Sequence, residues 1–141
     1  MEKKFSDLKF VRIDRSDLFN LLIPRYLFEQ VKDNTFNIDK IYQLAHTFIS
    51  SPLTRFYALI DDKTVKGILW AYVNLLNEKI QVNILSVDKE YQFSNAIEKT
   101  LEFIRTWQSK DENLKIQFTT TRPHAYEKSG FEKSKQVIME I

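Results

Sequence analysis

The chain has 141 residues, 43% of them hydrophobic and 28% charged, with a net charge of +2; this is the make-up of one soluble, folded domain spanning residues 1–141 and not of a disordered chain. It has no cysteine and only two histidines, far apart, which excludes disulfides, thiolate zinc sites and a cysteine nucleophile and leaves no ligand set for a catalytic metal. No apolar run approaches the roughly 20 residues of a bilayer span, the N-terminal charges precede no apolar signal region, and the interleaved charges form no nucleic-acid patch, so a cytoplasmic location is expected.

Along the chain, Leu8 to Ile13 alternates as a first strand with Phe10 inward. Ser16 or Asp17 is the expected N-cap of a helix through Leu18, Leu21 and Leu22. Pro24 kinks that helix or starts a new one at Arg25, and Tyr26, Leu27, Phe28 and Val31 continue the apolar stripe. Asp33-Asn34-Thr35 is a break. Ile38, Ile41, Tyr42, Ala45, Phe48 and Ile49 predict one amphipathic helix over Ile38 to Ile49, ended by Ser50-Ser51-Pro52.

Three strands follow, at Phe56 to Ile60, Val65 to Leu76 and Lys79 to Val87, joined by turns at Asp61 to Thr64 and at Asn77-Glu78. They predict an antiparallel meander, with Ile80, Val82, Ile84 and Ser86 on one face of the third strand. A helix over about Asn95 to Gln108 presents Ala96, Ile97, Thr100, Leu101, Phe103, Ile104 and Trp107. Leu114 to Thr120 is a further strand. Pro123 suits the first turn of a short helix reaching Lys128, and Gly130 its left-handed end. Val137 to Ile141 reads as a last strand. The order gives an α/β (α+β) sandwich: a mixed, mostly antiparallel sheet of about 6 strands flanked by helices.

There are only two glycines, Gly67 and Gly130, where ordinary usage of about 7% would give about ten. A P-loop and a dinucleotide fingerprint are therefore excluded.

The run Ala125-Tyr126-Glu127-Lys128-Ser129-Gly130-Phe131 resembles the last helix and turn of the Gcn5-related N-acetyltransferases, the GNAT superfamily. The element order is similar to that family's as well. The resemblance implies a bulged strand Lys79 to Val87 whose backbone at Leu85, Ser86 and Val87 pairs with the pantetheine arm of acetyl-CoA. It also implies a pyrophosphate site over Gln92, Phe93, Ser94, Asn95, Ala96 and Ile97, at a helix start. Val87 and Tyr91 match the family's segment before that site. Phe93, Asn95 and Ile97, however, stand where the family has glycine or alanine, and Lys89 and Gln92 replace its proline and basic residue. Phe93 or Ile97 could cover the site, and the side chains of Ser94 and Asn95 could cap the donors that phosphate needs.

By the same resemblance, Tyr126 is the general acid that protonates the departing thiolate; a tyrosine packed on the sheet is the plain alternative. Thr119 and Arg122 depart from the family's Asn and Ala before it. No base is evident: Glu78, Asp88 and Glu90 lie at strand ends, and His46 and His124 read as surface residues.

Two functions stay open. One is acetyl transfer from acetyl-CoA to a small-molecule or protein amine by direct attack. The other is an inactive GNAT-fold structural or interaction module, similar to the stand-alone GNAT-like proteins of bacteriophages. The segment after Phe131 has room for one strand where the family commonly has two. That leaves a sheet edge near the C-terminus for a protein partner or a second copy.

Overall fold

The fold is described from a computed structural model, which places residues 3–31, 35–92, 95–107, 114–120 and 123–141. In chain order the elements are β1 (Lys3–Lys4), a single 3-10 turn (Phe5–Asp7), β2 (Lys9–Arg12), α1 (Ser16–Leu22), α2 (Tyr26–Glu29), α3 (Ile38–Gln43), α4 (Ala45–Phe48), β3 (Thr54–Asp61), β4 (Thr64–Asn74), β5 (Lys79–Val87), β6 (Tyr91–Gln92), α5 (Ala96–Arg105), β7 (Lys115–Phe118) and α6 (Pro123–Glu127). Five strands make one sheet in the order β2-β3-β4-β5-β7. The first four are antiparallel neighbours, and β7 joins β5 in parallel. β1 and β6 form a separate parallel pair, Lys3 opposite Tyr91 and Lys4 opposite Gln92.

Each face of the sheet carries its own core. On one, Phe19, Ile23, Leu27, Phe28, Ala45 and Ile49 from α1 to α4 and their loops meet Phe56, Ala58, Val65, Ile68 and Ile84. Rings dominate here: Phe19 lies within 5.0 to 6.3 Å of Phe56, Tyr42, Phe48 and Phe28, and Phe48 stacks on Trp70 at 4.5 Å. On the other face Ala96 and Ile104 of α5 meet Leu59, Leu69, Ala71, Ile80 and Val82. Phe10 points to this side as expected and stacks on Phe103 at 4.2 Å.

Several expectations are corrected. The helix expected over Ile38 to Ile49 is two, broken at Leu44, with Asn37 as cap of the first through its side chain and Lys40 N–H. The cap residue of α1 is Arg15, not Ser16 or Asp17, which begin the helix itself. Leu21 and Leu22 face solvent, while Phe19 and Ile23 fill the core instead. β4 stops at Asn74, leaving Leu75 and Leu76 exposed in the turn. Val137 to Ile141 forms no strand.

The most consequential correction lies in β5. Trp70 pairs with Ile84 and Ala71 with Val82, so Asn83 is an extra residue, a bulge. An extra residue reverses the alternation of side chains. Ile80 and Val82 therefore face the α5 core, and Ile84 the opposite one. The single shared face expected for Ile80, Val82, Ile84 and Ser86 does not exist.

Gly67 sits opposite Leu59 and Val87. A Cβ there would lie 3.0 Å from the Ser86 carbonyl oxygen and 3.1 Å from Leu59 Cβ. Gly67→Ala should therefore destabilise the fold by about 1–3 kcal/mol, the usual range for overpacking. A urea unfolding curve with a lowered midpoint and unchanged slope is the expected result.

Candidate functional site

β5 and β7 pair only over Lys79 to Val82 and Lys115 to Phe118. One further bond, from Thr119 N–H to the Val82 carbonyl at 3.1 Å, closes the ladder. Beyond it, at the bulge, β5 continues to Val87 still paired with β4 but with no strand on its β7 side among the described residues. Asp88 N–H donates across to Lys66 O on β4 at 2.7 Å. Backbone groups of successive strand residues face opposite edges, so those of Leu85 and Val87 face away from β4, into the open side. A cleft with a strand-like rim of donors and acceptors results.

The helical side of the sheet reaches this rim. Gln30, just past α2, donates to Ser86 Oγ at 2.8 Å and to Val87 O at 2.7 Å. Ser86 Oγ in turn donates to Leu27 O at 2.6 Å. Ser86 is thus buried, its hydroxyl committed to α2 and not to the cleft. Tyr26 donates to Asp88 Oδ2 at 2.7 Å. Burial raises the Tyr26 hydroxyl pKa, with the Asp88 bond adding to the rise. The Glu90 N–H, and then the Tyr26 hydroxyl, hold the Asp88 carboxyl below its usual 3.8. Neither Gln30 nor Tyr26 stood out in the sequence, because both contacts span more than fifty residues with no motif to mark them.

The segment after β5 is tied down by charge and by β1. Glu90 bridges Lys66 at 3.0 Å and Lys3 at 3.4 Å, and the Tyr91 hydroxyl donates to Asp61. Gln92 is fixed by its backbone in the β1–β6 pair. Phe93 and Ser94 lie outside the described residues.

Asn95 begins the next helix in the left-handed region, φ 61°, and makes no side-chain cap bond; its carbonyl accepts from Lys99 N–H at 2.9 Å. Asparagine is among the few residues other than glycine that enter this region routinely. Contrary to expectation, its side chain does not occupy the donors of the helix start. The N–H groups of Ala96 and Ile97 have no partner among the described residues. Both side chains are buried, at 0% and 5% exposure. A helix start with free N–H groups attracts anions.

Tyr126 comes from the far side of the cleft. α6 is anchored by Phe131, whose ring meets Phe118 and Tyr126 edge-on at 5.4 and 5.7 Å. Gly130, at φ 92°, turns the chain, and Phe131 N–H bonds back to Tyr126 O at 3.2 Å. Ser129 donates to Glu98 at 2.7 Å, linking the end of α6 to the first turn of α5. The Tyr126 ring lies 4.9 Å from Phe118, where the β5–β7 ladder ends. Burial raises the Tyr126 hydroxyl above its usual 10.0, opposed by a hydrogen bond with the Thr120 side chain. It is therefore protonated at neutral pH.

No base faces this tyrosine among the described residues. His124 is exposed and sits 3.6 Å from Glu127 on its own helix. The described residues contain no group of His, Asp and Glu able to hold a metal, and no helix long and apolar enough to cross a membrane.

No protein-family model and no curated protein matches the sequence. Solved structures match over nearly the whole chain. An aminoglycoside N-acetyltransferase in complex with CoA superposes with TM-score 0.68 at 12% identity, covering 95% of this chain and 93% of that one. An aminoglycoside 6'-N-acetyltransferase from Acinetobacter baumannii gives 0.67 at 15%, covering 95% and 97%. A spermidine/spermine N-acetyltransferase from Vibrio cholerae gives 0.66 at 17%, covering 94% and 84%. At these identities the likeness is one of fold: the chain has the mixed α+β fold of the GNAT acetyltransferases.

Asp88 yields a pH test. Its folded pKa is depressed, so its stabilising contribution is complete above the unfolded value and is lost as pH falls through the folded one. Wild type should be more stable than Asp88→Asn at pH 7. The gap between their urea midpoints should close as pH drops below about 4.

Proposed function

We propose that the chain is an acetyl-CoA-dependent N-acetyltransferase of the GNAT type, acting on a primary amine by direct attack. The reading rests on one observation: the Asn83 bulge and the end of the β5–β7 ladder leave the backbone of Leu85 and Val87 facing an open cleft, with a protonated Tyr126 beside its base. An extended amide-bearing arm can add to such an edge as a strand does. Leu85 and Val87 would hold pantetheine through their backbone. The start of α5, from Gln92 to Ile97, would hold pyrophosphate through Ala96 and Ile97 N–H and the helix dipole.

The cofactor supplies an activated acetyl thioester. The chain's own contribution is position and a proton. The Tyr126 hydroxyl, kept neutral by burial, is in the right state to give its proton to a leaving thiolate. The Thr120 hydrogen bond fixes its direction and favours its anion once the proton has left. The amine must arrive uncharged or lose its proton to water, because no side chain near Tyr126 among the described residues serves as base. Solved relatives in fold act on aminoglycosides and on spermidine or spermine, and a polyamine-like amine is the corresponding substrate class for this chain.

A second reading, a GNAT-fold interaction module without activity, is favoured by the Gln30 bond. The Val87 carbonyl, one of the acceptors needed by pantetheine, already receives a side-chain amide.

Calorimetric titration with CoA and acetyl-CoA separates the two. The enzyme reading expects micromolar binding, about −8 kcal/mol. Tyr126→Phe should keep that binding and lower kcat by about 100-fold or more, the usual worth of a positioned acid. No heat at millimolar ligand from a folded protein would reject the enzyme and leave the module.

A further inference from the structure

β1 adds nothing to the main sheet. It is two residues long, and its partner among the described residues is β6, the short strand ahead of α5. Both of its side chains are lysines exposed to solvent, and neither joins a core. What the strand brings to this place is charge. Its backbone is fixed there by its neighbours. Phe5, the next residue, is 1% exposed and meets Phe10 edge-on at 6.1 Å. Lys4 N–H donates to Asp7 Oδ2 at 3.1 Å.

Alternation gives the two lysines different tasks. Successive side chains of a strand point to opposite faces, and register partners in a parallel pair stand side by side. Lys3 shares a face with Tyr91: its Nζ lies 5.6 Å over that ring and 3.4 Å from Glu90. Lys4 shares the opposite face with Gln92. Its ammonium makes no ion pair among the described residues. Glu90 is already divided between Lys3 and Lys66. Asp7, Asp61 and Asp88 accept hydrogen bonds from neutral donors, namely Lys4 N–H, Tyr91 and Tyr26. Gln92 stands three residues before Asn95, at most about 11 Å of chain, and the four-carbon stem of Lys4 extends the reach of its charge. One ligand can therefore touch the Lys4 ammonium and the free N–H groups of Ala96 and Ile97.

We propose that Lys4 binds a phosphate group at the nucleotide end of the cofactor, so that the N-terminal strand is one wall of the cofactor site. This deepens the acetyl-CoA reading and rests on it. The backbone donors at the start of α5 are neutral and fixed in direction. A lysine adds a full positive charge on a stem that adapts to the phosphate, and charge-assisted hydrogen bonds are the stronger kind. β1 holds that charge beside Gln92 without spending it on a carboxylate. The cofactor carries phosphate in two places, the pyrophosphate and the ribose, and the same chemistry recognises either.

Calorimetric titration of the full chain with CoA tests this, each variant first shown to be folded by circular dichroism. Lys4→Ala should weaken binding about tenfold, and Lys4→Arg should restore most of it. Lys9→Ala removes another exposed lysine, on β2, and should change nothing. The Lys4→Ala deficit should shrink as salt rises from about 0.1 M to about 1 M, where the Debye length falls to about 3 Å; a merely structural role of β1 would not respond in this way. Dephospho-CoA, which lacks the ribose phosphate, locates the contact. A deficit that persists with it assigns Lys4 to the pyrophosphate, and one that vanishes assigns it to the ribose phosphate. A folded wild type that gives no heat with millimolar CoA overturns this proposal and the acetyl-CoA reading together. Binding that Lys4→Ala leaves unchanged, an equal loss in Lys9→Ala, or a deficit indifferent to salt overturns this proposal alone.

Discussion

The structure turns on one surplus residue. Asn83 has no partner across β4, and the two halves of β5 consequently present opposite faces. Before it, Ile80 and Val82 fill the core under α5; after it, Ile84 fills the core under α1 to α4, and Ser86 reaches α2. The bulge also increases local twist, and the ladder to β7 ends at the residue before it. A cleft in the middle of a sheet is otherwise hard to maintain, since unpaired strand edges attract partners. Here the edge stays open because the same bulge that turns Ser86 inward anchors the strand's far end to a helix.

Two ring clusters pack the two faces of this arrangement. On one face Phe19, Phe28, Tyr42, Phe48, Phe56 and Trp70 interlock; on the other Phe10, Tyr57, Phe103 and Trp107 do so. Rings of this size lose little conformational freedom for the area they bury. Tyr42 adds a polar anchor: its hydroxyl donates to Ile23 O at 2.7 Å, and burial pushes its pKa up to about 12. The loop between β5 and α5 is held differently, by Glu90 between two lysines and by the β1–β6 pair. Exposed pairs like these are individually worth under about 1 kcal/mol, so the backbone pairing of β1 is the firmer tether.

The sequence was legible where periodicity and turn chemistry act locally. The three meander strands, the long helix, the proline-started α6 and the turn at Gly130 all follow from residues close in sequence. The bulge was invisible to simple alternation, because Ile80, Val82, Ile84 and Ser86 make an unbroken pattern that only pairing with Trp70 and Ala71 can split. Leu21 and Leu22 misled for a related reason. Apolar residues surround α1, and Pro24 shortens it, so contacts with β3 rather than the strongest stripe select Phe19 and Ile23. The last strand failed because five residues with strand propensity still need an edge in reach. Around the proposed site, the short helix carrying Tyr126 and its turn at Gly130 could be read. The bonds from Gln30 and Tyr26 could not, being long-range contacts between ordinary side chains. The missing glycines point to a divergent helix start, where Asn95 takes the left-handed region and Ile97 is buried.

Gln30 weighs less against cofactor binding than its position suggests. A carbonyl oxygen has two lone pairs, so Val87 O can accept from Gln30 and from one more donor. Even loss of the Gln30–Val87 bond costs one neutral hydrogen bond, about 1 kcal/mol net, or less than tenfold in affinity. In the proposed enzyme the rim of the cleft would therefore tune binding and not decide it. Under the enzyme reading the decisive term would be the start of α5, where N–H groups and the helix dipole would meet a doubly charged group, and where charge-assisted hydrogen bonds are about twice as strong as neutral ones. Under the enzyme reading the N–H groups of the helix start would answer that charge, while Lys3 and Lys66 share the single carboxylate of Glu90. Under the enzyme reading, recognition of pyrophosphate would depend on backbone geometry at Asn95, which takes the left-handed region, and not on a basic side chain at Gln92.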